Sequence, residues 1–232
     1  MMLLARIVLS VGGSLINPGK PDVEFLKELS ALIKKLSKKH QFAILCGGGQ
    51  PARDYANAVR GFGGNEFIAD EAAIMMTRAN AFLVASALGE IAYPSVMEDF
   101  TNAAEAAAVA KDKIIVMGGT IPGFTTDADA ALLAEKIGAK KLINLSNIDG
   151  IYDRPPKKPG AKKFATLTHE ELVRLANEYD LRMAGTNFVF DNIACKIIAR
   201  ADIETHFIYG KDLAQVEAAI MGMKHNGTVV KG

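Results

Sequence analysis

Short apolar runs alternate with longer amphipathic segments along almost the whole chain. The apolar runs predict buried strands at residues 5–11, 41–46, 91–97, 113–117, 141–145, 203–208 and 227–231. The amphipathic segments predict helices at residues 22–39, 51–60, 66–88, 100–110, 127–137, 168–178, 190–200 and 212–222. Regular alternation of strand and helix is typical of an α/β fold, so we expect a mainly parallel sheet with helices on both faces.

Residues 150–164 interrupt this alternation. Pro155, Pro156, Pro159 and Gly160 predict a loop or hairpin there, which we take as the boundary between two lobes. The sequence has no internal repeat, no low-complexity tract and no linker long enough to separate independent domains. We therefore expect a single domain over residues 1–232.

Three glycine segments directly follow predicted strands: Gly12-Gly13-Ser14, Gly47-Gly48-Gly49 and Gly118-Gly119-Thr120. Glycine has no Cβ, so its backbone N–H approaches an anion closely, and a helix beginning just beyond adds the positive end of its dipole. Together the segments predict a site for more than one phosphate, as phosphoryl transfer requires. A tight turn is the alternative for each segment taken alone. Neither G-x-x-x-x-G-K-[ST] nor G-x-G-x-x-G occurs, which disfavours the P-loop and dinucleotide folds.

Composition agrees with a compact enzyme of the cytoplasm. The chain has 232 residues, is 50% hydrophobic and carries a net charge of only +1, with dispersed basic residues. We therefore expect no nucleic-acid partner and no membrane partner. Cys46 and Cys195 lie far apart in apolar stretches and are expected to be buried thiols. The four histidines show no metal-ligand spacing and are expected to be structural or exposed.

Several polar side chains lie in otherwise apolar helices. Asp70 is predicted to open the long helix, which also carries Thr77 and Arg78 at helical spacing. A salt bridge to another element is the alternative for Arg78. Lys196 lies in an apolar helix behind Asp191, where a lysine either extends to solvent or faces a site.

Two further features allow two interpretations each. Arg53 follows the second glycine segment, where its guanidinium suits a phosphate, although a solvated surface arginine is the alternative. The segment 118–127 is rich in small and hydroxyl residues, and Thr126 as N-cap with Asp129 three residues later accounts for part of it. Capping does not account for Gly118, Gly119 and Thr120, so we favour a binding loop.

Taken in order, these motifs resemble the amino-acid-kinase superfamily, and within it the archaeal uridylate (UMP) kinases. The resemblance runs essentially end to end. Its motifs are the three glycine segments, Ala52-Arg53, Thr77-Arg78-Ala79-Asn80-Ala81, Thr125-Thr126-Asp127, Asn147-Ile148-Asp149-Gly150-Ile151-Tyr152, Asp191 to Lys196, and His225-Asn226-Gly227-Thr228.

The resemblance implies an open three-layer αβα sandwich whose N-terminal part, about residues 1–140, binds the phosphate acceptor and whose C-terminal part, about 141–232, binds ATP. It implies the reaction ATP + UMP → ADP + UDP in pyrimidine nucleotide biosynthesis, with Mg²⁺ held mainly by the nucleotide phosphates, and a homohexamer built from dimers. Asp191 would organise the catalytic site, and Lys196 would neutralise the charge in transfer. UMP would be bound by Gly48, Asp70, Thr120, Ile121, Pro122, Gly123, Phe124, Thr125 and Thr126. ATP would be bound by Gly13, Ser14, Gly49, Arg53, Ser146, Asn147 and Tyr152.

The chain departs from the family pattern at three places. Ser10 stands where the superfamily often carries a lysine and archaeal members an aspartate, Pro155 lies where an Asp-Pro is common, and Ser146 replaces threonine. Two alternatives stay open: a sister kinase acting on acetylglutamate, carbamate or isopentenyl phosphate, or a nucleotide-binding relative without turnover. The isopentenyl phosphate kinases would place a histidine where this chain has Gln50 and Pro51.

Overall fold

The computed structural model of the protein describes residues 5–182 and 190–232, without the side chains of 179–182. A seven-stranded sheet lies at its centre, in the order β3-β2-β1-β4-β8-β9-β7. All neighbouring strands are parallel except β8 and β9. The strands are β1 (Ala5–Val11), β2 (His40–Cys46), β3 (Ile115–Met117), β4 (Lys141–Ser146), β7 (Thr166–Leu167), β8 (Glu204–Tyr209) and β9 (Thr228–Val230). The short strands β5 (Ile151–Tyr152) and β6 (Lys163–Phe164) form a separate antiparallel pair.

Helices connect the strands and cover the sheet. They are α1 (Gly13–Ile16), α2 (Val23–Leu36), α3 (Gly49–Gly61), α4 (Glu66–Leu88), α5 (Phe100–Val109), α6 (Thr126–Ile137), α7 (His169–Arg182), α8 (Asn192–Arg200) and α9 (Leu213–Ile220). The predicted α/β fold with a mainly parallel sheet is confirmed, and so is the hairpin in residues 150–164.

The core has two halves because β1 sends alternate side chains to opposite faces of the sheet. Val8 packs with α5, α6 and α8, whereas Ile7 and Leu9 pack with α2, α4 and α9. Strands buried on both faces read as continuous apolar runs, which explains the sequence pattern. The carboxyl ends of β1, β2, β3 and β4 meet at one edge of the sheet, where all three glycine segments lie.

The predicted strand at residues 91–97 is wrong. Residues Gly89–Ile91 form a 3₁₀ turn, and the chain then touches the sheet edge only through two isolated bridges, Ala92 with Ile114 and Met97 with Met117. Pro94 lies between the two bridges and has no N–H to donate to a ladder, so continuous pairing fails there.

Helix α4 is unusually apolar for a helix that is largely exposed. Phe67, Met75 and Phe82 are 58%, 63% and 66% exposed and recur along one side of it, and Phe62 just ahead of it is 89% exposed. Within the described residues, Glu66–Ile91 is the one stretch whose length and composition would suit a membrane span. The core helix of a soluble protein can have the same length and composition, so this stretch alone does not indicate a membrane protein. The other side of α4 packs on α2, α3 and the sheet.

Candidate active site

The turns after β1 and β2 pack against each other without any side chain between them. A Cβ on Gly13 would lie 2.0 Å from the backbone nitrogen of Gly49 and 2.6 Å from that of Gly48. Gly49 itself has a φ of +69°, which favours glycine. Asn80 of α4 fixes the second turn by donating from Nδ2 to the carbonyls of Gly47 (2.8 Å) and Gly48 (3.0 Å). Close packing therefore gives a reason for these glycines in addition to the predicted binding of phosphate.

The third turn, after β3, is held by two neighbouring residues of α4. The N–H of Gly119 donates to the hydroxyl of Thr77 at 2.6 Å. Arg78 donates to the carbonyls of Gly119 and Thr120, both at 3.3 Å, and also pairs with Glu98 at 2.6 Å. The salt bridge considered for Arg78 exists, and the same guanidinium shapes the turn.

Asp129 of α6 holds the same turn from the other side. Its side chain is fully buried, and it accepts hydrogen bonds from the Thr120 hydroxyl at 2.6 Å and the Thr120 N–H at 3.1 Å. Burial raises the pKa of Asp129 to about 6, and these two hydrogen bonds limit the rise.

The loop that follows connects this turn to Asp70. The N–H of Gly123 donates to Oδ2 of Asp70 at 2.9 Å, while Ile121 and Phe124 are exposed. Asp70 does not open α4 as predicted, because Asn65 caps that helix and Asp70 lies in its second turn. Asp70 therefore faces the loop across a gap between elements instead of capping a helix.

Thr125 and Asp191 link the N-termini of two helices. Thr125, and not Thr126 as predicted, is the N-cap of α6, where its hydroxyl accepts from the N–H of Ala128. The same hydroxyl donates to Oδ2 of Asp191. Asp191 in turn caps α8 through Oδ1, which accepts from the N–H of Ala194 at 2.8 Å. Both helices therefore point their positive ends toward one place.

Lys196 lies one turn into α8 on its exposed side, between buried Cys195 and Ile197. No hydrogen bond or ion pair to any described side chain holds its ammonium group. The sequence allowed Lys196 either to extend into solvent or to face a binding site. Its exposed position agrees with both interpretations.

Asp127 lies beside these residues, although the sequence analysis did not select it as a candidate site residue. Its Oδ1 accepts from Nδ2 of Asn144 at 3.0 Å and from the hydroxyl of Ser10 at 3.4 Å. Burial raises its pKa to about 7, and the nearby charge of Asp191 adds to the rise. The sequence indicated Asp127 only as part of the motif Thr125-Thr126-Asp127, since its partners Ser10 and Asn144 come from strands β1 and β4.

On the other side of the glycine turns, Ser14 meets the segment after β4. Asn147 donates from Nδ2 to the Ser14 hydroxyl at 2.9 Å, and the Ser146 hydroxyl bonds the backbone of Ile148. The Tyr152 hydroxyl donates to Asp149 at 2.8 Å. Arg53 is exposed and bonds Gln50 of its own helix, at 2.8 Å from Nη2.

Most of the predicted site residues thus share the carboxyl edge of the sheet. Contacts link Gly13 with Gly48 and Gly49, Ser14 with Asn147, Asp70 with Gly123, and Thr125 with Asp191. The hydroxyl of Ser146 bonds the backbone of Ile148, the hydroxyl of Tyr152 bonds Asp149, and Arg53 bonds Gln50. Among the residues of known placement, no group of three or more histidine, cysteine, aspartate or glutamate side chains is arranged to hold a metal ion.

Comparison with known proteins adds to this geometry. The profile of a family described as "Amino acid kinase family" matches residues 5–209. A uridylate kinase from Pyrococcus abyssi is 45% identical over 227 residues, which span 97% of this chain and 99% of that protein. A uridylate kinase from Thermococcus onnurineus is 44% identical over the same share of each chain. The crystal structure of uridylate kinase from Archaeoglobus fulgidus superposes with a TM-score of 0.86 at 37% identity, covering 97% of this chain and 99% of that one.

Proposed function

The chain belongs to the amino acid kinase family, and we propose that it is a nucleoside monophosphate kinase that transfers the γ-phosphoryl group of ATP to UMP. The relatives named uridylate kinase cover almost its whole length, which favours this reaction over the sister kinases of the same family. UDP and ADP would be the products, as a step of pyrimidine nucleotide biosynthesis.

The observation that carries the proposal is the convergence of glycine turns and helix N-termini at one edge of the sheet. The turns after β1, β2 and β3 end there, and the Thr125–Asp191 contact brings the N-termini of α6 and α8 to the same place. Backbone N–H groups and helix dipoles attract anions, so the edge suits two nucleotides whose phosphates meet. Positioning and electrostatic stabilisation account for most of phosphoryl-transfer catalysis.

UMP would lie between α4 and the loop after β3. Asp70 would accept hydrogen bonds from the ribose hydroxyls, because its carboxylate already faces that loop through Gly123. Gly48 and the residues from Thr120 to Thr126 would line the phosphate and the base. Arg78 and Asp129 hold the start of that loop through hydrogen bonds to Thr120, which would orient it toward the acceptor.

ATP would lie on the β4 side of the glycine turns. Gly13, Ser14 and Gly49 would contact its phosphates, and Arg53 would turn from Gln50 to reach them, since a guanidinium forms strong paired bonds with phosphate. Ser146, Asn147 and Tyr152 would line the nucleoside. The acceptor part would be about residues 1–140 and the ATP part about 141–232, with the sheet continuous between β1 and β4.

In the transfer step the oxygen of UMP would attack the γ-phosphorus in line, with no phospho-enzyme. Lys196 would neutralise the charge that moves between the nucleotides, as an ammonium group on the exposed side of α8 is suited to do. Asp191 would hold the start of α8 and the loop together, since it contacts both Thr125 and Ala194.

The site fits a magnesium ion that is held mainly by the phosphates. Asp127 and Asp191 are close enough for one charge to raise the pKa of the other, and the buried Oδ1 of Asn144 has no hydrogen-bond partner among the described residues. Carboxylate and amide oxygens are the ligands that Mg²⁺ prefers. When bound, the ion would neutralise phosphate charge, with Asp127 and Asn144 facing it.

We further propose a homohexamer, built from dimers, in the cytoplasm. The stripe formed by Phe67, Met75 and Phe82 on α4, with Phe62 beside it, is the exposed apolar surface that supports self-association. A second copy is the expected cover, since closed homo-oligomers are the commonest soluble assemblies.

A coupled assay of ADP release with UMP, CMP, dUMP, acetylglutamate, carbamate and isopentenyl phosphate tests the function. UMP should give the highest kcat/KM. Turnover of another acceptor alone would replace the proposed substrate, and binding of nucleotides without turnover would show a non-catalytic relative.

A further inference from the structure

Every polar group of Gly119 and Thr120 is already bonded within the protein. Thr77 accepts from the N–H of Gly119, Arg78 donates to both carbonyls, and Asp129 accepts from the N–H and hydroxyl of Thr120. Arg78 of α4 and Asp129 of α6 thus hold Thr120, and Thr77 holds the glycine before it.

The hydroxyl of Thr120 has a single hydrogen, and it donates this hydrogen in a hydrogen bond to Asp129. A hydroxyl carries one donor and two acceptor lone pairs, whereas an ionised carboxylate only accepts. With its hydrogen directed at Oδ1 of Asp129, 2.6 Å away, the Thr120 oxygen offers only lone pairs to anything on its open side. Thr120 itself is half-buried and begins the loop that leads to Asp70.

Uracil and cytosine differ at N3, the ring atom that could form a hydrogen bond with such a lone pair. N3 of uracil carries a hydrogen and donates, whereas N3 of cytosine carries a lone pair and accepts. A buried acceptor that faces another acceptor leaves both unpaired, and this mismatch is the kind that gives strong discrimination.

We propose that Asp129 is a positioning residue that fixes the Thr120 hydroxyl as an acceptor and so makes the site select uracil over cytosine. The inference rests on the proposed function, because it assumes that the base of the acceptor nucleotide lies against Thr120.

The test compares Asp129→Asn with Glu135→Gln, a change from carboxylate to amide on the exposed side of the same helix, where Glu135 pairs with Arg200. In Asp129→Asn, the amide oxygen still accepts from the Thr120 N–H, but the amide nitrogen donates to the hydroxyl and frees its hydrogen. We expect the ratio of kcat/KM for UMP to that for CMP, at pH 8, to fall about tenfold or more, whereas Glu135→Gln keeps the wild-type ratio. Equal losses with UMP and CMP would show that Asp129 only supports the loop and would overturn the inference.

A second pair of variants decides the matter if Asp129→Asn fails to fold. Thr120→Val removes the hydroxyl and should lower the UMP:CMP ratio to a similar extent, while Thr120→Ser keeps the hydroxyl and should retain it. The same ratio in both variants would overturn the inference while leaving UMP phosphorylation intact. A wild-type protein that phosphorylates neither nucleotide would overturn the proposed function and this inference with it.

Discussion

The hydroxyl of Thr125 bonds the carboxylate of Asp191 and thereby ties the loop after β3 to the helix that carries Lys196. One oxygen caps α6 and one carboxylate caps α8, so the two helices keep a fixed relation at their N-termini. In the proposed reaction this contact connects the acceptor loop with the residue that neutralises the transferred charge.

Lys196→Met should lower kcat by roughly 10²–10³ with little change in the KM for UMP, because a charge that acts in the transition state contributes little to ground-state binding. The exposed side chain has no bond to a described residue, so the melting temperature should stay close to that of the wild type. Steady-state kinetics with UMP measure both constants. A kcat within tenfold of the wild-type value would remove Lys196 from the mechanism.

Arg53→Ala should raise the KM of ATP severalfold or more and leave stability almost unchanged, since the guanidinium bonds only Gln50 among the described residues and exposed arginines add little to folding. Arg60→Ala on the same helix is the matched control. Arg60 pairs with exposed Glu66 at 2.7 Å, and its removal should leave both KM values as they are. Equal KM values in the two variants would place Arg53 outside the site.

Asp70→Asn should reduce the preference for UMP over dUMP, which we expect to be about tenfold to a hundredfold in kcat/KM for the wild type. The amide can accept from Gly123, as Asp70 does at 2.9 Å, but its second group becomes a donor. Glu71→Gln, one position along and exposed, should leave the ratio unchanged. An unaltered ratio in Asp70→Asn would show that this carboxylate does not contact the ribose.

Phe82→Glu combined with Met75→Glu should give a smaller species than the wild type in light scattering, because two charges would enter the apolar stripe on α4. Val23→Glu, at a site 53% exposed on α2, is the control and should keep the wild-type mass. The same mass for all three proteins would exclude this stripe from the assembly.

Acid should destabilise the protein through His206. Burial lowers the pKa of His206 to about 4 from 6.5, against the opposing effect of Glu204, and the ring also faces His225 and Lys141. Between those two pH values the unfolded chain holds a proton that the folded chain lacks, so the free energy of unfolding falls as pH falls from about 6.5 to 4. Urea unfolding at pH 7.5 and 5.5 should show a smaller decrease for His206→Gln than for the wild type. An identical decrease in both proteins would contradict the assignment.

The fold could be predicted well because strands buried on both faces and amphipathic helices leave clear periodic patterns. The helix at residues 66–88 and the hairpin in 150–164 follow the sequence closely. The strand predicted at residues 91–97 was wrong because an apolar run does not reveal how many of its residues form backbone bridges to the edge of the sheet. Only Ala92 and Met97 do so. The four-residue helix α1 was missed because it is too short to carry a period.

The site was harder to predict than the fold because its carboxylates depend on tertiary partners. The sequence places Asp129 in the first turn of α6, but no neighbouring residue indicates that its carboxylate bonds the hydroxyl of Thr120. Asp127 likewise depends on Ser10 and Asn144, which come from strands β1 and β4. Motif order still predicted that the glycine segments would lie together, since each follows a strand and these strands end at one edge of the sheet.

The contact between Gly13 and Gly49 restricts how the protein can move. Separating the turns after β1 and β2 would open a gap between two backbones that now touch, and close packing opposes such gaps. We therefore expect any closure over the proposed nucleotides to move the other side of the site, where the exposed loop around Phe124 and helix α8 are joined through Thr125 and Asp191.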